Sequence, residues 1–291
     1  MPDSHISSAR VRQAFSRSAA SYDGHAVLQR EVADRLLAHM EFTKLRPRTI
    51  LDIGAGTGYF TNLLHKRFKR ASVHAIDIAM PMLRIARQGI ARRLPWRGKL
   101  LFAQADSLNL PYPDGCFDLV CSNLTMQWVS EPRLMLAEMR RVLAPGGLMI
   151  FSTFGRRTLA ELRQSLASID PHKAGLVLPF PDVTTLGNTL MELPVELPVT
   201  DSDLFTLTYP NAMCLLRELK GLGASAKAIA HRPGGLYGRA LIRQLEPIYH
   251  GEHGMEDGRI PATFEALYGQ AWHAEQPTKF ERVIPISPEP V

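Results

Sequence analysis

Leu51-Asp52-Ile53-Gly54-Ala55-Gly56-Thr57-Gly58 sets three alternating glycines behind a short apolar run that carries one acid. Glycines there let the chain turn tightly and bring its backbone close to a ligand. Asp52 lies inside the run, two residues before the first glycine. Its carboxylate either accepts hydrogen bonds from a ligand ammonium or caps the amides of the loop itself. A pyrophosphate would be repelled by that charge, and the GxGxG spacing departs from the GxGxxG of dinucleotide sites. Asp77 ends the next apolar run, where a carboxylate either accepts from ribose hydroxyls or caps a helix. Asp106 follows a third run and can accept from an exocyclic amino group; Asn123 follows a fourth. Ile78 and Ser107 stand beside two of these acids and complete the candidate set.

These side chains need elements to bring them to one edge. Thr49–Ile53, Ser72–Asp77, 99–104, 117–122 and 147–154 have the length and apolar content of strands. Helical spacing recurs at 8–20, 26–42, 81–93 and 132–143 and in the stripe Phe60, Leu63, Leu64 and Phe68, with Pro81 suited to a helix N-terminus and Pro145-Gly146-Gly147 expected to turn the chain from helix into strand. Alternation of this kind predicts an α/β fold with a mostly parallel, Rossmann-like sheet and helices on both faces. Ligands in such sheets sit beyond the carboxyl ends of the strands, where all four polar candidates fall. Beyond 155 the pattern loosens. A helix is expected at 156–169, an irregular proline-rich insertion at 170–200 around a helix near 182–192, a strand at Phe205–Tyr209, helices at 211–221 and 236–249, and a closing strand at Pro261–Tyr268. The division expected is 1–45 helical lid, 46–155 ligand-binding core, 156–273 acceptor side with an α-rich insertion between late strands, and 274–291 flexible tail.

The chain has 291 residues, 45% hydrophobic and 21% charged, enough for a sizeable core and too apolar for a disordered protein. No run approaches the roughly 18 apolar residues of a membrane span, and the N-terminal residues hold no apolar signal region. Three cysteines without a CxxC pair suggest a reducing cytoplasm and no structural zinc. No metal site is expected. The net charge of +6 is concentrated in residues 1–150, including Arg84, Arg87, Arg92, Arg93, Arg97 and Lys99. A second basic cluster holds Arg217, Lys220, Lys227, Arg232, Arg239 and Arg243. Each cluster reads either as a solvated helix face or as an attractor for an acidic partner. Nucleic acid is disfavoured, because no aromatic residues interleave with these charges. A monomer that binds no membrane is the expectation.

The glycine loop, Asp77, Ala105-Asp106, Phe117-Asp118-Leu119-Val120 and Leu143-Ala144-Pro145-Gly146-Gly147 together resemble class I S-adenosylmethionine-dependent methyltransferases. The resemblance implies a seven-stranded sheet with its last strand antiparallel. It also implies S-adenosylmethionine as donor, with Asp52, Gly54, Gly56, Gly58, Asp77, Ile78, Met82, Asp106, Ser107 and Asn123 around it. Met82 would pack on adenine or simply in the core. Phe15 to Gln29, Ser122 to Trp128, Leu216 to Ala224 and Pro261 to Gly269 are similar to the malonyl-acyl-carrier-protein O-methyltransferases of biotin synthesis. That narrower resemblance covers the chain to about 273 and implies methylation of the free carboxylate of a malonyl thioester, carried by acyl-carrier protein or coenzyme A. The ester masks a charge and primes pimeloyl synthesis.

The residues fit such chemistry on their own terms. Gln127 stands where many small-molecule methyltransferases carry a histidine, so no general base is expected. An ionised carboxylate needs none at pH 7, and alignment would carry most of the rate. His25 and His231 are the histidines to watch. Tyr22 reads as a lid residue or a packing tyrosine, Trp128 as an acceptor wall or a core residue. Tyr22, Gln127 and Trp128 are the positioning candidates. Arg217, Lys220, Arg239 and Arg243 are the candidates for binding an acidic carrier. Three rival readings remain open: a methyltransferase for a small molecule such as a quinone precursor, a non-catalytic assembly factor that binds the donor, and an NAD-dependent dehydrogenase.

Overall fold

Among the described residues every strand except one runs the same way, in the order β3-β2-β1-β4-β5-β7-β6. The computed structural model describes residues 7–90, 98–223 and 239–274. Three helices come first: α1 (Ser8–Ser18), α2 (Tyr22–His25) and α3 (Val27–His39). The alternating unit follows as β1 (Thr49–Ile53), α4 (Tyr59–Arg67), β2 (Ser72–Asp77), α5 (Met80–Ile90), β3 (Leu100–Gln104), β4 (Phe117–Ser122), α6 (Pro132–Val142) and β5 (Leu143–Phe154). The rest is α7 (Ala160–Ile169), α8 (Val183–Met191), β6 (Glu196–Tyr209), α9 (Ala212–Gly221), α10 (Arg239–His253) and β7 (Ile260–Trp272). β7 pairs antiparallel with both β5 and β6, which makes it the one reversed strand.

Strands buried on both sides explain the continuous apolar runs. In β4, Leu119 and Cys121 point into one core while Val120 points into the other. The first core collects residues from α3, α4, α7, α9 and α10; the second collects residues from α6 and α8. The chain reverses its direction of strand addition between β1 and β4. A crevice opens outside the strand ends at that point.

Several expectations need correction. β6 begins at Glu196, well before Phe205, so the stretch read as irregular around the expected α8 also contains the start of a long edge strand and a 3-10 helix at Pro171–Leu176. Its burial pattern is mostly exposed, and acids at 201 and 203 interrupt the alternation that marks a strand. Pro145-Gly146-Gly147 does not separate helix from strand. α6 ends at Val142, and Leu143 already pairs with Phe117. The register then jumps, with Leu148 opposite Leu119, so the Pro-Gly-Gly segment bulges out within β5. The closing strand is longer than Pro261–Tyr268 and lies inside the sheet, between β5 and β6. α10 continues through Pro247 to His253.

Candidate active site

The ends of β1, β2 and β4, with the segment after β3, wall one cleft of about 750 Å³, part of it open to solvent. β1 contributes Ile53, Gly54 and Gly56; β2 contributes Ile76, Asp77 and Ile78. Ala105, Asp106, Ser107 and Leu108 come from beyond β3, and Asn123, Leu124 and Thr125 from beyond β4. α1 roofs the cleft with Ser8, Val11 and Phe15, joined by Tyr22, Met82, Trp128 and Val129.

The glycine loop hangs from the end of β2. Gly54 N and Ala55 N both donate to Ile76 O, at 2.8 and 2.9 Å. Asp77 then ties the loop to α5: its Oδ2 accepts from Gly56 N at 2.9 Å and its Oδ1 from Ala79 N at 2.7 Å. Each oxygen keeps a further lone pair for a ligand hydroxyl. Burial raises the Asp77 carboxyl to about 6, against the two amide bonds that lower it. Gly54, at φ +74°, has no room for a side chain, because a Cβ would lie 2.0 Å from Thr125 Oγ1. A Cβ on Gly56 would meet nothing within 4 Å, so this backbone faces open space along the cleft. Gly58 lines no part of the cleft. At φ +89° it starts α4 and donates its N–H to Ala55 O at 2.9 Å, closing the turn.

Asp52 is set one layer back, 1% exposed, and accepts from Thr61 Oγ1 at 2.5 Å. It opens onto a side chamber that shares Tyr22, Gly54, Gly56 and Asn123 with the main cleft. Burial pushes its carboxyl up to about 7, and nearby Asp77 adds to the rise. Asp106 Oδ1 accepts from Leu108 N at 3.0 Å. Met82 is buried against Ala19, Ala79, Phe15 and Tyr22, so it packs in a small core and lines the cleft together.

Asn123 is engaged at both ends of its amide. Nδ2 donates to Gln29 O on α3 at 3.0 Å, and Oδ1 accepts from Ser152 Oγ at 2.8 Å. The same Ser152 Oγ accepts from Leu124 N, whose residue holds φ +47°. Two further bonds fasten the N-terminal helices over the loop: Thr57 Oγ1 to Asp23 at 2.6 Å and Tyr59 OH to Asp34 at 3.0 Å. Tyr22 follows α1 and opens α2, and burial beside Asp77 and Asp23 raises its phenol far above its usual value.

At the other end of the cleft Phe15 meets Trp128 edge to face, centroids 5.2 Å apart. Gln127 is outside the lining. Its Nε2 donates to Leu124 O at 2.6 Å and its Oε1 accepts from Thr153 Oγ1 at 3.3 Å. His25 is also outside the lining and packs its ring against Gly221 of α9. His231, Lys227 and Arg232 are outside the described residues, as is the side chain of Arg239. Among the described residues, the ionisable side chains that line the cleft are Tyr22, Asp77 and Asp106. Among the described residues, no group of three or more His, Cys, Asp or Glu could hold a metal. The basic candidates divide: Arg217 and Lys220 line a separate groove together with Arg10 and Arg17, while Arg243 is exposed on α10 outside it.

The strand-end residues were findable because each follows an apolar run. Phe15, Val11, Thr125 and Thr61 were not singled out. The spacing of Ser8, Val11 and Phe15 marks one helix face, but only packing shows that the face covers a cleft.

The cleft suits a donor that joins an ammonium and a sulfonium to a nucleoside. Buried acids lie where cations and hydroxyls would sit, an open backbone edge runs between them, and aromatic rings close the far end. A family described as a methyltransferase domain matches residues 51–151. A protein of Halorhodospira halophila named malonyl-[acyl-carrier protein] O-methyltransferase is 44% identical, over 90% of this chain and 86% of that one. A protein of the same name from Laribacter hongkongensis is 42% identical over 90% and 88%. Among solved structures, a putative methyltransferase from Bacillus halodurans aligns with a TM-score of 0.57 at 17% identity, over 84% of this chain and 99% of that one. A Haemonchus contortus phosphoethanolamine N-methyltransferase, solved with S-adenosylhomocysteine, aligns with a TM-score of 0.51 at 17% identity, over 83% and 53%. These two likenesses concern the fold.

Proposed function

The chain belongs to the malonyl-[acyl-carrier protein] O-methyltransferases, and from that premise we propose how its cleft serves the reaction. The enzyme transfers a methyl group from S-adenosylmethionine to the free carboxylate of malonyl-acyl-carrier protein. When bound, S-adenosylmethionine supplies a methyl group made electrophilic by the sulfonium charge. A carboxylate oxygen forms the new bond to that carbon, and the electron pair of the broken S–C bond stays on sulfur.

The protein's part is binding and alignment. Asp52 takes the donor's ammonium, with Thr61 holding the carboxylate in place. Asp77 takes the ribose hydroxyls on the lone pairs that Gly56 and Ala79 leave open. Asp106 and Ser107 hold the adenine edge, and Ile78 and Met82 flank its ring. Tyr22 closes over the donor and excludes water, and Phe15 and Trp128 shape the slot through which the acceptor arrives. Residues 7–45 act as the lid, 46–155 as the donor-binding core and 156–273 as the acceptor side, while 275–291 lie outside the described residues. Gln127 serves as a brace for the Leu124 turn.

One observation carries the acceptor reading: among the described residues the lining offers no histidine or lysine to take a proton. Phenols and protonated amines would need such a group near neutral pH, whereas a carboxylate is already ionised. Orientation within the closed cleft then supplies the rate. We place the enzyme in the cytoplasm as a monomer, in keeping with cysteines that are all free thiols. Among the described residues no helix is long and apolar enough to cross a membrane.

The test is transfer of labelled methyl from S-adenosylmethionine, with malonyl-carrier protein and malonyl-coenzyme A offered side by side. Label in a base-labile ester, richer on the carrier, is the expected result. No label on either substrate, with donor binding demonstrated in the same sample, would overturn the acceptor assignment.

A further inference from the structure

We infer that the groove between α1 and α9 is the docking surface for an acidic protein, the carrier that presents the malonyl thioester. This rests on the reaction proposed above and adds the place where the carrier lands.

The groove measures about 1250 Å³, much of it open to solvent, and is lined by Arg10 and Arg17 from α1 and by Arg217 and Lys220 from α9. All four are exposed. The rest of its lining among the described residues is small or polar, with Gln13, Ser18 and Ser21 among them, and holds no carboxylate. Arg10 and Arg17 stand two turns apart on one face of α1, and Arg217 and Lys220 one turn apart on α9. The two pairs therefore face each other across the groove and add their potentials. Among the described residues, Arg17 and Arg217 form no ion pair with a carboxylate, unlike Arg35 and Arg141 elsewhere in the chain. A concentrated field of one sign steers an oppositely charged protein and sets its register. Nucleic acid is a poor occupant, because the described lining has no aromatic ring for a base to stack on.

Position argues as strongly as charge. α1 is the wall between this groove and the donor cleft: Arg10, Ala14 and Arg17 line one side, Ser8, Val11 and Phe15 the other. The two sides touch at one place. A side chain added at Gly223, on the floor of the groove, would meet Ser18 Oγ at 2.9 Å and the Phe15 ring at 3.4 Å. The Phe15 ring itself lies against Trp128 inside the cleft. A carrier seated on the four cations can send its flexible arm past Phe15 and deliver the carboxylate to the methyl group, while the bulk of the carrier stays outside.

The test uses the full chain with Arg17→Glu and Arg217→Glu combined. Arg133→Glu on α6, outside the groove, serves as the charge control. KM and kcat are measured with malonyl-carrier protein and with malonyl-pantetheine, which has neither protein nor phosphate. Binding of the unacylated holo-carrier is followed by fluorescence anisotropy across a salt series. The expected result is a KM for the carrier substrate raised at least tenfold, a flattened salt dependence of carrier binding, and a kcat/KM for malonyl-pantetheine within twofold of the parent. An unchanged carrier KM would overturn the inference, as would an equal loss with malonyl-pantetheine, or an equal effect from Arg133→Glu. If the parent methylates neither substrate, the proposed reaction fails. The anisotropy series then still decides the docking surface, which falls if parent and double variant bind the carrier alike.

Discussion

Asp52 holds a carboxylate almost wholly out of water with a single hydroxyl to answer it. Burial favours its neutral form and lifts it to about 7; Asp77 follows at about 6 for the same reason. Only the ionised form attracts an ammonium. Donor affinity should therefore climb as pH rises from about 5.5 to 8, with an inflection near 7 that Asp52→Asn removes. Calorimetric titration at four pH values measures it. The free enzyme should show the opposite trend. A carboxyl raised in the folded state contributes stability that is full below its unfolded value and is lost as pH climbs through its folded value. The melting temperature without donor should thus fall between about pH 4 and 7, and saturating donor should reduce that fall. Asp77→Ala strips an acceptor from Gly56 N and Ala79 N. Removing one charge-assisted bond costs about 1.5–3 kcal/mol, so donor Kd should rise by about 10- to 100-fold, while far-UV circular dichroism remains unchanged.

The glycine turn and the helices above it work as one element. Gly54→Ala would place a methyl against Thr125 and force φ +74° on a residue with a side chain. Strain and overpacking together should cost about 2–4 kcal/mol in urea unfolding. Adding Thr125→Ala should recover the steric part and leave the conformational part. Asp23→Ala releases the bond from Thr57 that fastens α2 to the loop. The loss of about 1 kcal/mol should raise donor KM about fivefold and speed hydrogen exchange in α2. Legibility followed the same physics. β1, β2 and β4 could be read to the residue because strands buried on both faces leave unbroken apolar runs between turn residues. β6 could not, because its outer positions face solvent and carry Asp201 and Asp203, which pair with His39 and Arg35 of α3. Asp52, Asp77, Asp106 and Asn123 were visible as strand ends. Arg10, Arg17 and Phe15 were not, because a helix sequence states which residues share a face and not what the face meets. Arg217 and Lys220 were grouped with Arg239 and Arg243 by nearness in sequence, whereas the fold groups them with α1.

The functional regions share one interior. Leu36 of α3, Leu119 of β4, Leu162 of α7, Leu215 of α9, Leu245 of α10 and Phe264 of β7 belong to a single buried cluster. Lid, donor core and acceptor side should accordingly unfold together. Far-UV circular dichroism and tryptophan fluorescence should give coincident denaturation curves, and Phe264→Ala should shift both by about 3–5 kcal/mol. Two separated transitions would show that the regions are independent. The inner position of β7 has a consequence for how the molecule is made. β5 and β6 are synthesised long before the strand that joins them, and both keep an unpaired backbone edge until Trp272 has left the ribosome. Chains released early would carry those sticky edges into a crowded cell. Proteases and chaperones thus have a clear mark by which to tell a copy that lacks β7 from one that holds it, and the sheet closes only once that strand has emerged.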